Sequence, residues 1–158
     1  MRSPDRLRRA AAPPGELRIE RVLDCPPAFW RFLYVEVGRR YRWVDRLGWS
    51  DETIRAYLSD PAVSLWLLTV SGAPAGYFEL REAEGSVEIA YFGLLDAFLG
   101  RGLGGYLLTE AVDRAWQIGA PRVWLHTNTL DHPAALPNYF ARGFTVFRTE
   151  EYSVEEDG

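Results

Sequence analysis

Along ELRIERVL, residues 16–23, Leu17 and Ile19, with Val22 beyond them, stand between charged neighbours, the period-two pattern of a half-buried strand. Pro26 and Pro27 end it. From Ala28 to Tyr41 the period lengthens: Phe29, Phe32, Leu33, Val37 and Tyr41 recur at helical spacing, with Arg31, Glu36 and Arg39 between them. GWSDETIRAYLSDP then puts Ser50 where an N-cap belongs, Asp51 and Glu52 in the first turn, and Ile54, Tyr57 and Leu58 on one face before Pro61. That predicts a short second helix.

Val63 to Val70 is an apolar, branched run, followed by the turn SGAP, a run from Ala75 to Glu82, the turn AEG, and a run from Ser86 to Leu95. Three strands joined by tight turns predict an antiparallel meander. Past the stretch LGRGLGG, residues 99–105, Leu103, Leu107, Ala111, Ala115 and Ile118 share one helical face opposite Thr109, Glu110, Asp113, Arg114 and Gln117. Gly119 and Pro121 stop this helix. RVWLHTNT reads as another strand, Pro133 to Arg142 as a short helix ending at Gly143, and Phe144 to Tyr152 as a final strand. The order β-α-α-β-β-β-α-β-α-β, without repeats or an internal linker, predicts one α+β domain over residues 16–158 with a mixed sheet.

Composition narrows this picture. A chain of 158 residues, 47% apolar and 14% aromatic with six Trp, is the size of one core. No apolar run approaches the ~18 residues of a membrane span. The opening MRSPDRLRRAAAPPG carries four Arg but lacks the apolar stretch of a secretory signal, so residues 1–15 are expected to be a disordered, Arg-rich tail and the protein cytoplasmic. A single Cys25, with His126 and His132 as the only histidines, gives neither an internal disulfide nor a Cys/His zinc set, and a metal-free protein is expected.

Beyond Gly15 the chain holds 14 Arg against 21 acidic residues, a balance of −7. Such a body offers no footprint for nucleic acid and favours a cationic substrate wherever its acids converge. All eighteen basic residues are Arg, and the absence of Lys removes a phosphate-loop NTPase.

The glycine stretch carries the candidate chemistry. Gly100, Gly102 and Gly105 fit G-x-G-x-x-G, yet this turn follows a meander, and only 53 residues come after Gly105, too few for the βαβ units that cover a dinucleotide. A nucleotide-dependent oxidoreductase therefore rests on that match alone, and an ordinary glycine-rich turn is the plainer alternative. A helix opening with Arg101, Gly102, Leu103, Gly104 and Gly105 is nonetheless well made for a pyrophosphate: free N–H groups, the positive end of the helix dipole, close backbone approach, and a guanidinium.

The chain resembles the GNAT superfamily of N-acetyltransferases at two places. Leu99, Gly100, Arg101, Gly102, Leu103 and Gly104 are similar to that family's Q/R-x-x-G-x-G/A turn, with Leu99 standing where Gln or Arg is usual. HPAALPNYFARGF is similar to its closing N-x-x-A-x-x-x-Y-x-x-x-G-F, with Ala135, Tyr139, Gly143 and Phe144 in register and His132 in the Asn place. The resemblance spans Glu16 to about Tyr152 and implies a central mixed, mostly antiparallel sheet flanked by helices.

The resemblance also implies acetyl-CoA as acyl donor, with Leu99, Gly100, Arg101, Gly102, Leu103, Gly104 and Gly105 at its pyrophosphate. Phe92, Gly93 and Leu94 would offer backbone groups to the pantetheine arm. His132 would either bond that arm or cap its helix. Tyr139 falls at the family's acid position, and a phenol is protonated at pH 7 and able to donate to a thiolate. Packing is its alternative role. Glu88, eleven residues before Leu99, falls at the base position of histone-type members; a solvated sheet glutamate, or a water chain as base, stands beside that reading. Alternation along SVEIAYFGLL puts Glu88 on the side of Ala90 and Phe92.

Glu79 and Asp131 are weaker acid candidates, and Tyr41, Trp43 and Trp49 either wall an acceptor pocket or fill the core. The expected reaction is direct attack of a primary amine, of a small molecule, on the thioester in a ternary complex. A protein Lys or N-terminus as acceptor, and a non-catalytic acyl-CoA sensor, are the alternatives. No membrane or nucleic-acid partner is implied, and a homodimer is left open.

Overall fold

A computed structural model of the chain describes residues 1–119, 121–127, 133–147 and 149. Strand β1, Leu17–Arg21, is followed by α1, Pro27–Tyr41, which opens on a proline because the first helical position needs no N–H donor. Its buried stripe is Trp30, Leu33, Tyr34, Val37 and Tyr41, while Phe32 is 42% exposed. The stripe is turned from the one periodicity suggests. Aromatic residues flank both sides of α1, and the phase is settled by Trp30, which stacks on Tyr34 at 5.3 Å and on Trp49 at 5.5 Å. Helix α2, Asp51–Ser59, starts as expected: the Ser50 hydroxyl accepts from the Thr53 N–H at 3.1 Å.

Strands β2, Val63–Val70, β3, Ala73–Ala83, and β4, Ser86–Leu94, form the antiparallel meander, and β1 pairs antiparallel with β2. Helix α3, Leu103–Gln117, crosses to β5, Val123–Trp124, which lies parallel to β4 and completes the sheet order β1-β2-β3-β4-β5. The fold is thus the mixed, mostly antiparallel α+β sheet that was expected. Leu103, Leu107, Leu108, Ala111, Val112 and Ala115 bury one face of α3, and Gly119 beyond it has φ 93°. Helix α4, Ala135–Ala141, is shorter than the expected Pro133 to Arg142. Pro137 is its third residue, where an N–H has no partner inside the helix, so the proline costs no helical bond there.

Two strands differ from expectation. RVWLHTNT is a strand only at Val123 and Trp124 among its described residues, and Phe144 to Phe147 lie in no strand; most of the rest of that last run falls outside the described residues. The larger correction is inside β4. Glu79 pairs with Tyr91 while Leu80 pairs with Ile89, so Ala90 is an extra residue, a β-bulge. Alternation is broken there, and Glu88 lies on the opposite face from Phe92, not the same one. Glu88, Tyr91 and Gly93 share the face of Arg81, Glu79 and Tyr77; Ile89, Phe92 and Leu94 share the face of Leu80, Phe78 and Gly76. The first face receives α1: a Cβ on Gly93 would meet Val37 Cγ1 at 2.5 Å and Tyr41 Cε2 at 2.7 Å. The second receives α3, with Leu107 3.3 Å from a Cβ built on Gly76.

The first fifteen residues, expected to be disordered, are laid across α3 and α4. The Arg8 N–H donates to the Arg142 carbonyl at 2.9 Å and the Ala10 N–H to the Thr109 hydroxyl at 3.0 Å, while Arg9 pairs with Asp113. Composition carries no trace of these backbone contacts. Among the described residues no helix is long and apolar enough to cross a membrane.

Candidate active site

Beyond Glu88, β4 has no neighbour on its outer side among the described residues. Strand β5 pairs only at Val87 with Val123 and at Glu88 with Trp124, and the two strands then part. The bulge at Ala90 lies where they separate. Among the described residues, Ile89 to Leu94 therefore present a free strand edge, whose backbone groups call for a partner.

One end of this edge runs into the glycine turn. After Leu94 come a 3-10 turn, Asp96–Phe98, then Leu99, whose side chain packs on the core rather than into the loop. Gly100 and Gly102 both have φ 75°, the left-handed conformation that glycine adopts freely. Gly102 is the N-cap of α3 and supplies no side-chain acceptor, so no side chain caps the first N–H groups of α3. Arg101 is exposed, with its guanidinium 5.0 Å from the Phe98 ring centre.

Gly104 and Gly105 serve packing between helices. The Asn138 amide on α4 donates to the Gly104 carbonyl at 3.1 Å. A Cβ on Gly105 would lie 2.7 Å from Arg142 Nη1 and 3.0 Å from Ala10 Cβ. Arg142 thus reaches the first turn of α3, and its Nε is buried without a hydrogen-bond partner. Sequence reasoning treated Arg142 only as a helix end; its position beside Gly143 in the closing motif was the available signal.

On the α3 side of the sheet, Tyr139 is 6% exposed and stands edge-on to Phe92, with ring centres 6.4 Å apart. The closing motif is thereby joined to the free edge. Phe92, Gly93 and Leu94 are all buried. His132 and Asp131 lie outside the described residues.

Glu88 is on the other face and is not among the contacts of Tyr139 described here. Its carboxylate, 4% exposed, takes Arg81 Nη2 at 2.9 Å on one oxygen and His126 Nδ1 at 3.0 Å on the other. Burial pushes its pKa up, but the bonds from His126 and Arg81 outweigh burial and hold it below the usual carboxylate range. His126, in the run RVWLHTNT that was expected to be a strand, is thus engaged with Glu88.

Glu79 shares that face with Glu88 but has its own cation. It is fully buried, and Arg46 Nη1 donates to its two oxygens at 3.1 and 2.9 Å. Burial raises its pKa, and Arg46 does not wholly offset this. The Arg46 guanidinium carbon also lies 5.7 Å from the Trp30 ring centre, 4.7 Å from Trp49, 4.4 Å from Tyr57 and 4.0 Å from Tyr91. The segment between α1 and α2 is thus both wall and filling, and Trp43 packs edge-on to Tyr91 at 4.8 Å. Among the described residues no three His, Cys, Asp or Glu side chains gather as a metal site.

A free strand edge running into an uncapped helix N-terminus is matched by sequence as well. The model of the acetyltransferase (GNAT) family matches residues 28–144. The chain belongs to the GNAT family. Solved structures agree on the GNAT fold. An aminoglycoside acetyltransferase from an uncultured soil metagenomic sample, in complex with trehalose, is 16% identical, with 89% of this chain and 95% of that one covered and a TM-score of 0.69. A GNAT-family acetyltransferase from Streptococcus pneumoniae is 20% identical over 90% and 100% of the chains, TM-score 0.62. An IAA acetyltransferase from Bacillus cereus is 22% identical over 84% and 79%, TM-score 0.64. No curated protein matches this GNAT chain by sequence.

Proposed function

We propose that the domain formed by residues 16–158 is a cytoplasmic, acetyl-CoA-dependent N-acetyltransferase acting on a primary amine of a small molecule. The observation that carries this reading is the free edge of β4 from Ile89 to Leu94, which leads into the uncapped N-terminus of α3 and has Tyr139 beside it.

The fit to acetyl-CoA follows from donors and acceptors. The pantetheine arm carries amides, and a strand edge with unpaired backbone groups is their natural complement. The pyrophosphate is an anion, and the left-handed turn at Gly100 and Gly102 leaves the first N–H groups of α3 available to it. Arg101 and Arg142 add guanidinium groups near that turn, in place of the polar side chain that Leu99 lacks. Acetyl-CoA supplies the activated acetyl thioester; everything else is the task of this chain.

Tyr139 holds a proton at Oη and donates it to the departing sulfur. Backbone N–H groups of the free edge, at Phe92 to Leu94, orient the acyl carbonyl and stabilise charge on its oxygen. Glu88 keeps its negative charge and fixes His126, and this pair takes the proton of the attacking amine, by way of water, out to solvent. Attack is direct. Cys25 belongs to neither motif, and burial pushes its thiol up to about 11, so it is protonated at neutral pH and is no acyl carrier. A small amine as acceptor is supported by the acidic body of the chain and by the named substrate class of the aminoglycoside enzyme with this fold.

Calorimetric titration with acetyl-CoA, with NAD as control, is the test. Micromolar binding of acetyl-CoA and none of NAD is expected, and Tyr139→Phe should keep that affinity while kcat toward amines falls by roughly 10²–10⁴. Absence of acetyl-CoA binding overturns the reading. Intact binding with no transfer to any amine would instead leave an acyl-CoA sensor.

A further inference from the structure

Arg46 sits in a cage built mostly by other elements. Trp30 comes from α1, Tyr57 from α2, Glu79 from β3 and Tyr91 from β4. Only Trp49, the fifth wall, belongs to the same loop as Arg46, the stretch between α1 and α2. Four of the five walls thus come from helices and strands, while the loop supplies the occupant and the fifth wall.

The chemistry of the cage is that of a cation receptor. Four aromatic rings stand within 5.7 Å of the guanidinium carbon, a fully buried carboxylate takes two hydrogen bonds, and the Tyr57 hydroxyl accepts a third at 2.9 Å. Ring faces and a desolvated carboxylate select a positive charge over any neutral group of the same shape. Arg46 itself is 7% exposed, while Trp49, Tyr57 and Tyr91 around it are half-buried, so the cage lies close beneath the surface.

Its place in the fold joins it to the reaction. Tyr91 is the residue between the bulged Ala90 and Phe92, so one wall of the cage belongs to the stretch of β4 with the free edge. The cage lies on the face of the sheet opposite to Phe92 and Tyr139. An amine seated there would approach the edge from the α1 face of the sheet.

We infer that this cage is the acceptor's cation subsite, and that Arg46 is a displaceable stand-in: a substrate bearing an ammonium or guanidinium group takes the place of Arg46 against Glu79 and the four rings. The inference rests on the acetyl-transfer reading above for the word acceptor, and on the cage alone for cation binding. Acceptors with a second positive charge are therefore preferred, one charge held in the cage while another nitrogen, as the free amine, is acetylated.

The test reads binding before turnover. Wild-type protein with isotope-labelled indole groups is titrated with agmatine, which carries both a guanidinium and a primary ammonium, and with N-butylurea as the uncharged control. Saturable shifts of the Trp30 and Trp49 indole signals with agmatine alone are expected. Arg46→Ala should bind agmatine about tenfold more tightly, because no occupant has to leave first. Arg46→Ala/Glu79→Gln, which carries neither charge, should not bind it. Indole signals that agmatine leaves unmoved in the wild type overturn the inference, as does a folded Arg46→Ala that binds no more tightly.

If Arg46→Ala alone is unfolded, recovery of its folded spectrum on adding agmatine supports the cage, and failure to recover overturns it. Acetyl-CoA binding on the same samples separates the two readings. A protein that takes agmatine into the cage but binds no acetyl-CoA overturns acetyl transfer alone. A protein that acetylates diamines with a KM that Arg46→Ala leaves unchanged overturns the subsite.

Discussion

Two buried glutamates one strand apart show how the depth of burial, set against the partners, decides the sign of a pKa shift. At Glu79 burial outweighs the pull of Arg46, Tyr57 and Arg81; at Glu88 burial is outweighed by His126 and Arg81. A carboxylate whose folded pKa is depressed contributes stability above its unfolded value, and loses that contribution as pH falls through the folded one. The stability Glu88 provides is therefore complete at neutral pH and disappears below the usual carboxylate range, below about pH 4. Glu88→Gln should cost ~1–2 kcal/mol at pH 7, a modest figure because Arg81 is half exposed. Its melting temperature should also fall less steeply than that of the wild type when pH is lowered from 5 to about 3, as thermal scans would show. Equal slopes for the two proteins would mean that Glu88 does not hold its charge through these partners.

At the scale of elements, β4 and α1 are held together by the absence of a side chain. Gly93→Ala places a methyl within 2.5 Å of Val37 Cγ1 and 2.7 Å of Tyr41 Cε2, both on a helix whose buried stripe has little freedom to move. Overpacking of this kind costs about 1–3 kcal/mol, and urea denaturation of the variant should show a loss in that range. Most elements could be read from the sequence. Val63–Val70 is a branched apolar run after Pro61 and before the turn at Ser71 and Gly72, and those residues are β2. Ser50 is followed by two acids and caps α2.

Positions that depend on pairing could not be read. The bulge at Ala90 has no residue that announces it, since Ala90 breaks the ladder by count rather than by chemistry, and with it went the face of Glu88. The glycine turn was legible because left-handed backbone favours glycine. The partners of Glu88 were not, because Arg81 comes from β3 and His126 from the chain just beyond β5. Arg46 went unnoticed for the same reason: a charged loop residue looks solvated until the rings around it are known.

For the molecule as a whole, the first fifteen residues act as a strap from α4 to α3. The ion pair of Arg9 and Asp113 is exposed on the Arg9 side, 64%, and a double-mutant cycle on it should show little coupling. Backbone bonds at Arg8 and Ala10 are the firmer attachment. Trypsin provides the check, since the strap holds Arg2, Arg6, Arg8 and Arg9. Cleavage after Arg8 and Arg9 should be slow in the folded protein and fast once urea unfolds it. Immediate cleavage in buffer would show the strap to be loose, as its composition suggests.

The unpaired edge of β4 has another side. A stretch of strand backbone from Ile89 to Leu94, unpaired on its outer side among the described residues, is what a second unfolding or misassembling chain seeks, because any extended segment can continue the ladder there. A pantetheine arm lying along the edge is, to the sheet, a short false strand that satisfies those groups and offers nothing further to pair with. Solutions of the protein saturated with coenzyme A should accordingly stay clear longer on warming than solutions without it, by a margin greater than the shift in melting temperature alone explains. The ligand would then protect the molecule from its own kind.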